Sequence, residues 1–357
     1  MRQRKKNRFS LTAFAAFIVA LCIVVLFNEA LIDAEVPNSV PAQTTENAGV
    51  PAAQSAQNSR FEFPTRLRVG TYNLHNFRDA DRFSKDGKFQ YRRPKSEASK
   101  EALYRTILKV QPDVLAVQEI GGNAWLEEMA QALAERGLAF PYRELLEAYD
   151  RYNRVAILSR VPFSKTIKIE VRKKLMRGLL GIGIPVADGQ IFYVYTTHLK
   201  SKISNDPDDP DAGGKRGREA VLIRRLIEYD VRDEKTAEKI PSVWNIGVPA
   251  SLKKNGPPAL FALMGDFNDN PGTPALAPLE AATFATALPA KASDGGSVTF
   301  VNTRYNYYNT FDRIFVSPAV YKKFYVPLSA KIADFPWAGT ASDHRLVYAD
   351  FDFSPKD

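Results

Sequence analysis

The sequence predicts an α/β (α+β) fold in which sheets are covered by further layers, and three observations carry that expectation. Short runs of aliphatic and β-branched residues recur through residues 61–357 and stop abruptly at polar side chains. Segments with apolar residues at helical spacing lie between some of them. The runs are apolar throughout rather than alternating, so both faces of each strand need covering by helices or a second sheet.

Ahead of that body, residues 1–10 are a basic head containing Arg2, Arg4, Lys5, Lys6 and Arg8. Residues 11–27, "LTAFAAFIVALCIVVLF", exceed a usual signal-peptide core and reach the lower limit of a spanning helix. Neither Ala30 nor Ala34 completes a small-x-small cleavage pattern, since Asn28 and Ile32 stand two residues before them. An uncleaved signal-anchor is therefore favoured over a cleaved signal peptide. The basic flank stays in the cytoplasm, so the body is expected outside it, anchored to the membrane, or secreted if cleavage occurs. Residues 28–60 are rich in Pro, Ala, Gln, Asn, Ser and Thr from Glu35 to Ser59 and read as a flexible tether.

The formal charge of +9 changes meaning once the head is set aside, because 44 basic residues then face 40 acidic ones. A uniformly basic nucleic-acid coat is excluded, and a polyanion site has to be a local patch. The sole cysteine, Cys22, lies in the apolar run, which rules out intrachain disulfides and a thiolate zinc cluster.

Taken in order, "LRVGTYN" ends at Asn73 and is followed by a helix, "SEASKEALYRTILKV", with Ala98, Ala102, Leu103, Ile107 and Val110 on one side. "DVLAVQE" ends at Glu119, and a second helix, "AWLEEMAQALAERG", closes at Gly137. Nine basic residues against one acid occupy 151–178, a pattern that more often marks a solvated face. "IFYVYTTH" ends at His198. The Asp-rich loop Asn205–Gly214 lacks the order of a calcium loop, and a third helix is expected after Gly217. A long loop, Glu238–Pro258, carries Trp244, expected to pack it down. "LFALMGDFN" then runs into Asp266 and Asn268. Taken alone, the stretch "GDFNDNPGT" favours a turn, because Asp and Asn bond their own backbone, over a hard cation or phosphate site, for which its oxygens are suitable ligands. "TRYNYYNTF" offers Tyr305, Tyr307 and Tyr308 as stacking faces or as ordinary edge-strand residues, and "FDRIFVS" places Asp312 at its start. The three histidines, His75, His198 and His344, all lie at strand ends or in polar clusters, which points to a site.

"TYNLHNF", "DVLAVQEI", "THLKSK", "GDFND", "FDRIFVS" and "SDHRLV" occur in the order found in the endonuclease/exonuclease/phosphatase superfamily, which the chain resembles from about Leu67 to Phe353. The resemblance implies a four-layer sandwich, two mixed sheets face to face with helices outside. It implies a metal-dependent phosphodiesterase, with Glu119 as principal metal ligand and Asn73 and Asp343 supporting it. Mg2+ is the expected ion, with Mn2+ or Ca2+ as alternatives. His344 with Asp312 resembles the family's His–Asp pair, and His198 its second histidine, an acid for the leaving oxygen. Asp266 and Asn268 would orient water and hold a phosphate oxygen, and His75 would support them. Arg177, expected just before a strand, resembles a phosphate-contacting arginine, with Arg154 and Lys200 behind it. The expected protein is a monomeric exported nuclease acting on nucleic acid. A sphingomyelinase-type lipid phosphodiesterase is the alternative enzyme, and a non-catalytic binding module the alternative of another class.

Overall fold

The computed structural model describes residues 63–355 apart from 84–86, 244, 250, 253–255 and 257. The basic head, the apolar run, the tether and Trp244 lie outside the described residues. Among those described, no helix is long and apolar enough to cross a membrane.

The strands are β1 Arg66–Phe77, β2 Ala80–Phe83, β3 Phe89–Arg93, β4 Val114–Ile120, β5 Tyr142–Leu146, β6 Arg154–Ser159, β7 Lys165–Val171 and β8 Leu175–Pro185. They continue with β9 Ile191–His198, β10 Leu260–Asp266, β11 Thr286–Ala287, β12 Phe300–Asn302, β13 Tyr307–Asn309, β14 Asp312–Val316, β15 Lys331–Ile332 and β16 Val347–Asp352. One six-stranded sheet runs β15-β16-β1-β4-β6-β5 and the other β11-β14-β10-β9-β8-β7. Both are mixed, because β1 pairs with β4 and β9 with β10 in parallel while the other neighbours are antiparallel.

Three apolar cores separate four layers. Between the sheets, Val69, Val114 and Ile157 share a cluster with Ile182, Val194 and Met264. The helices Glu97–Val110 and Asn123–Glu135 cover the first sheet, with Leu103, Ile107 and Met129 packed among Tyr72, Leu115 and Val117. The helix Gly213–Glu228 covers the second, with Leu222, Ile223 and Leu226 packed among Tyr195, Phe261 and Leu263. Each such side chain contributes about 1.5–3 kcal/mol by leaving water, and the uninterrupted apolar runs are thereby explained.

Two boundaries differ from expectation. The third helix begins at Gly213 rather than after Gly217, because the Asp209 carboxylate accepts the amides of Gly214 and Lys215 at 2.9 Å each. The Asp-rich loop thus ends as a helix cap. Arg177 lies inside β8 rather than before it.

Gly265 is a point where the backbone demands glycine. Its φ of 149° suits few other residues, and a Cβ there would stand 2.0 Å from the Thr197 carbonyl oxygen on the paired strand. Gly265→Ala is expected to cost roughly 3 kcal/mol or more, from strain and overpacking together. A denaturant midpoint equal to that of the parent protein would contradict this.

Candidate active site

Strand register assembles the polar residues. In β10, Asp266 stands opposite His198 of β9 on one side and Asp312 of β14 on the other. Across the sandwich, Asn73 pairs with Gln118, and the next residue, Glu119, falls where the register of β4 slips against both neighbours. Glu119 is therefore a bulge residue with φ 59°, and bulges re-aim side chains at functional sites. His75, Asn76 and Asn268 also hold left-handed backbone, so unfavourable conformations gather here. His344 arrives from the loop before β16. Its backbone bridges Phe300 of β12, and its amide donates to Ser342 Oγ, which itself donates to the Asn73 carbonyl oxygen at 2.8 Å.

Asp266 is the hub. Its Oδ2 accepts from Asn73 Nδ2 at 2.9 Å and lies 3.3 Å from His198 Nε2 and 3.6 Å from His344 Nε2. Its Oδ1 accepts the Asn268 amide at 2.8 Å. On the far side of the ring, His344 Nδ1 meets Asp312 Oδ2 at 2.8 Å. Thr299 Oγ1 accepts the Phe311 and Asp312 amides at 2.9 Å, fixing the start of β14. Asn268 donates its side-chain amide to the Leu199 carbonyl oxygen, tying this loop to the one that follows His198.

Burial alone would disfavour charge on His344, but Asp312 and Asp266 outweigh it and raise the imidazole to about 10. Burial opposes ionisation of Asp266 too, yet His344, His198 and the Asn268 amide hold its carboxyl far below the usual range. An imidazolium beside an ionised carboxylate is the consequence. In metal-free protein, the His344 ring is expected to stay protonated through pH 8 in an NMR titration and to lose its proton only near pH 10. The folded value lies above the ordinary one of about 6.5. The stability this pairing contributes is thus complete below about pH 6.5 and lost as pH rises through about 10. An apparent value near 6.5 would contradict the assigned field.

The donor set fits a hard divalent cation. Glu119 is partly buried, receives the Asn76 amide at 2.9 Å and Asn73 Nδ2 at 3.3 Å, and pairs with no lysine or arginine among the described residues. Burial would raise its carboxyl, but His198, His75 and His344 prevail and lower it. Asp266, Asp312 and His344 also bring ligating atoms within 4.8 Å of one another. Asp266 and Asp312 are held against histidine rings, His198 and His344, whereas among the described residues the Glu119 carboxylate accepts only neutral amide donors. Oxygen ligands with few protein contacts suit Mg2+.

The other expected residues divide. Asp343 stands beside the group, its Oδ1 3.3 Å from His75 Nδ1, so His75 supports Asp343. Arg177 is engaged within the protein: Nε meets Asp150 Oδ2 at 3.0 Å and Nη1 the Leu199 carbonyl oxygen at 2.8 Å. It steadies the His198 loop, and its guanidinium, against burial, pulls Asp150 down to about 2. Arg154 binds Glu147 at 2.6 Å. Lys200 turns its ammonium to Ser201 and the Ile203 carbonyl oxygen, and burial lowers it to about 8. None of the three is aimed by a free guanidinium or ammonium at the Asp266 hub.

Several contributors have no motif to advertise them. Gln118, fully buried, donates to Thr71 Oγ1 at 3.0 Å and Thr196 Oγ1 at 3.1 Å, linking the two sheets beneath the site. Glu219 accepts the Lys200 amide at 2.7 Å. Lys95, buried, donates to the His75 carbonyl oxygen at 3.2 Å, and burial lowers its amine to about 8.

A sequence model described as "Endonuclease/Exonuclease/phosphatase family" matches residues 70–344. A search of curated proteins finds no match. Among solved structures, TDP2 of D. rerio complexed with single strand DNA product is similar at a TM-score of 0.52 and 18% identity, over 81% of this chain and 100% of that one. An endonuclease/exonuclease/phosphatase from Bacteroides vulgatus gives 0.52 at 15% identity, over 81% and 99%. A mutant of beta toxin from Staphylococcus aureus with bound magnesium ions gives 0.52 at 17%, over 80% and 99%. At such identities the likeness is one of fold.

Proposed function

The chain belongs to the Endonuclease/Exonuclease/phosphatase family of metal-dependent phosphoesterases, and on that premise we propose that it is a nuclease cleaving phosphodiester bonds of DNA or RNA. The observation that carries this reading is an aromatic hairpin beside the site. The turn between β12 and β13 presents Tyr305 to solvent and β13 presents Tyr307 and Tyr308, exposed by 51%, 43% and 51%. The same hairpin is joined to the site through Phe300, whose ring centroid is 4.9 Å from that of His344. Tyrosine faces next to a hydrolytic centre suit stacking of unpaired bases. The D. rerio relative bound to a single-strand DNA product supports the choice, as the magnesium-bound toxin supports the ion.

In this reading the scissile phosphate sits against His198, His344 and Asp266. Glu119, with Asn73 and Asp343, would hold Mg2+, which when bound neutralises phosphate charge. Asp266 is ionised and orients the attacking water; as the new P–O bond forms it takes that water's proton and, too acidic to keep it, passes it to His198 Nε2 3.3 Å away. Asn268 helps set that water and a phosphate oxygen. His344, kept charged by Asp312, donates to oxygen as negative charge builds, and His198 is placed to protonate the leaving oxygen.

The purified protein with magnesium, assayed in parallel on plasmid, single-stranded DNA, RNA and sphingomyelin, tests the substrate. Hydrolysis of sphingomyelin with all three nucleic acids intact would overturn the nuclease reading.

The exported, membrane-anchored topology belongs to the same proposal. Protease added to spheroplasts is expected to degrade the body of the full-length protein. A protected body would count against the anchor.

A further inference from the structure

Four arginines, Arg78, Arg92, Arg151 and Arg154, line one cleft of about 230 Å³ together with Trp125 and Tyr152. It adjoins the site, since Gly121, also lining it, is two residues beyond Glu119, a span of at most about 7 Å. Of the four, Arg154 is neutralised by Glu147. Arg78 meets neutral acceptors: Nη1 donates to the Asp79 carbonyl oxygen at 2.8 Å, Nη2 stands 3.5 Å from Asn153 Oδ1, and Nε has no partner. Arg92 and Arg151 are exposed and form no ion pair among the described residues. The helix Asn123–Glu135 begins at the same place, with Gly122 as N-cap, no side-chain cap and no acidic residue in its first turn. Its positive dipole end therefore adds to the arginines. Asp79 is the one carboxylate among the lining residues.

We infer that this cleft binds a second phosphodiester of the substrate strand, the one flanking the scissile phosphate on the Glu119 side. The inference rests on the nuclease reading. Planar guanidinium forks match phosphate oxygens, and two arginines without carboxylates stand ready to take them. With the tyrosine hairpin on the His344 side, a strand would be held at both ends of the site, by its phosphate here and by its bases there.

The test uses the full-length protein, the double variant Arg92→Ala/Arg151→Ala, and two substrates. Bis(4-nitrophenyl) phosphate has a single diester and reaches only the reacting centre; a single-stranded oligonucleotide reaches the cleft as well. The variant is expected to raise KM for the oligonucleotide about tenfold with kcat kept. The salt dependence of log KM should fall by about 0.7, the share of one phosphate on a single strand. Hydrolysis of the small diester should not change, which also shows that the variant is folded. An unchanged oligonucleotide KM and salt slope would overturn the cleft assignment alone. Equal losses on both substrates would overturn it too, assigning the arginines to the reacting centre or the fold. A wild-type protein that hydrolyses the small diester and no nucleic acid would remove the nuclease reading and this inference with it. A 5′-phosphorylated oligonucleotide is expected to match its hydroxyl form in KM; a lower KM would replace the internal diester with a terminal phosphate.

Discussion

Exchanging His344 for alanine is expected to lower kcat by about 10²- to 10⁴-fold, the range for removing a positioned proton donor or acceptor. The geometry explains why so much rests on one ring. Asp312 grips Nδ1 at 2.8 Å, which leaves Nε2 as the working atom, 3.6 Å from Asp266 Oδ2 and facing the space between them. Asp312→Asn should fall in the same range by a different route, since an amide no longer stabilises the imidazolium or fixes its tautomer. The two losses are not expected to multiply in the double variant, because both dismantle one unit. Removing either partner of a buried pair also weakens the fold, so kcat is to be compared at a temperature where circular dichroism shows each variant folded. Near-parental turnover by folded His344→Ala would remove the dyad from the mechanism.

How far this site can be read from sequence depends on what each residue needs. Asp266, His198 and Asp312 are legible because strand ends are visible in an apolar run, and parallel and antiparallel pairing then sets them side by side. The stretch from Gly265 to Thr273 turns out to hold both answers to the choice between turn and site. Asp266 joins the His198 and His344 group, and Asn268 donates its amide to Asp266 and its side chain to the Leu199 carbonyl oxygen. Asp269 instead accepts from Arg216, which is wholly buried, and from Lys202, while Asn270 donates to Asn309 Oδ1 at 2.6 Å. No spacing rule separates these neighbours, since the division comes from partners more than thirty residues away. Glu119 is legible as a strand end but not as a bulge, because the register slip depends on β1 and β6 together. The basic residues show the reverse case. Arg177, Arg154 and Lys200 are conspicuous by charge, yet Asp150, Glu147 and backbone carbonyls engage them, and a run of basic residues says nothing of which acids fold against it.

Chelation is expected to abolish activity, and added magnesium to restore it, because the carboxylates around Asp266 and Glu119 otherwise repel a phosphodiester. Glu119→Gln is the sharper experiment. The substitution keeps the shape and the Asn76 amide contact but removes the charge that draws the ion. The magnesium concentration for half-maximal rate should rise at least about tenfold, the cost expected for losing a charged interaction of 1.4 kcal/mol or more. Asp312→Asn supplies the contrast. Asp266, Asp312 and His344 could also be imagined as ligands, since their atoms lie within 4.8 Å of one another. If the ion belongs at Glu119, the residual activity of Asp312→Asn should keep the parental magnesium dependence while its ceiling drops. The opposite pattern, with magnesium dependence shifted by Asp312→Asn and untouched by Glu119→Gln, would move the ion to the Asp/Asp/His group. Full activity in excess chelator would exclude both positions, because neither set of carboxylates could then be shielding the substrate through a bound cation.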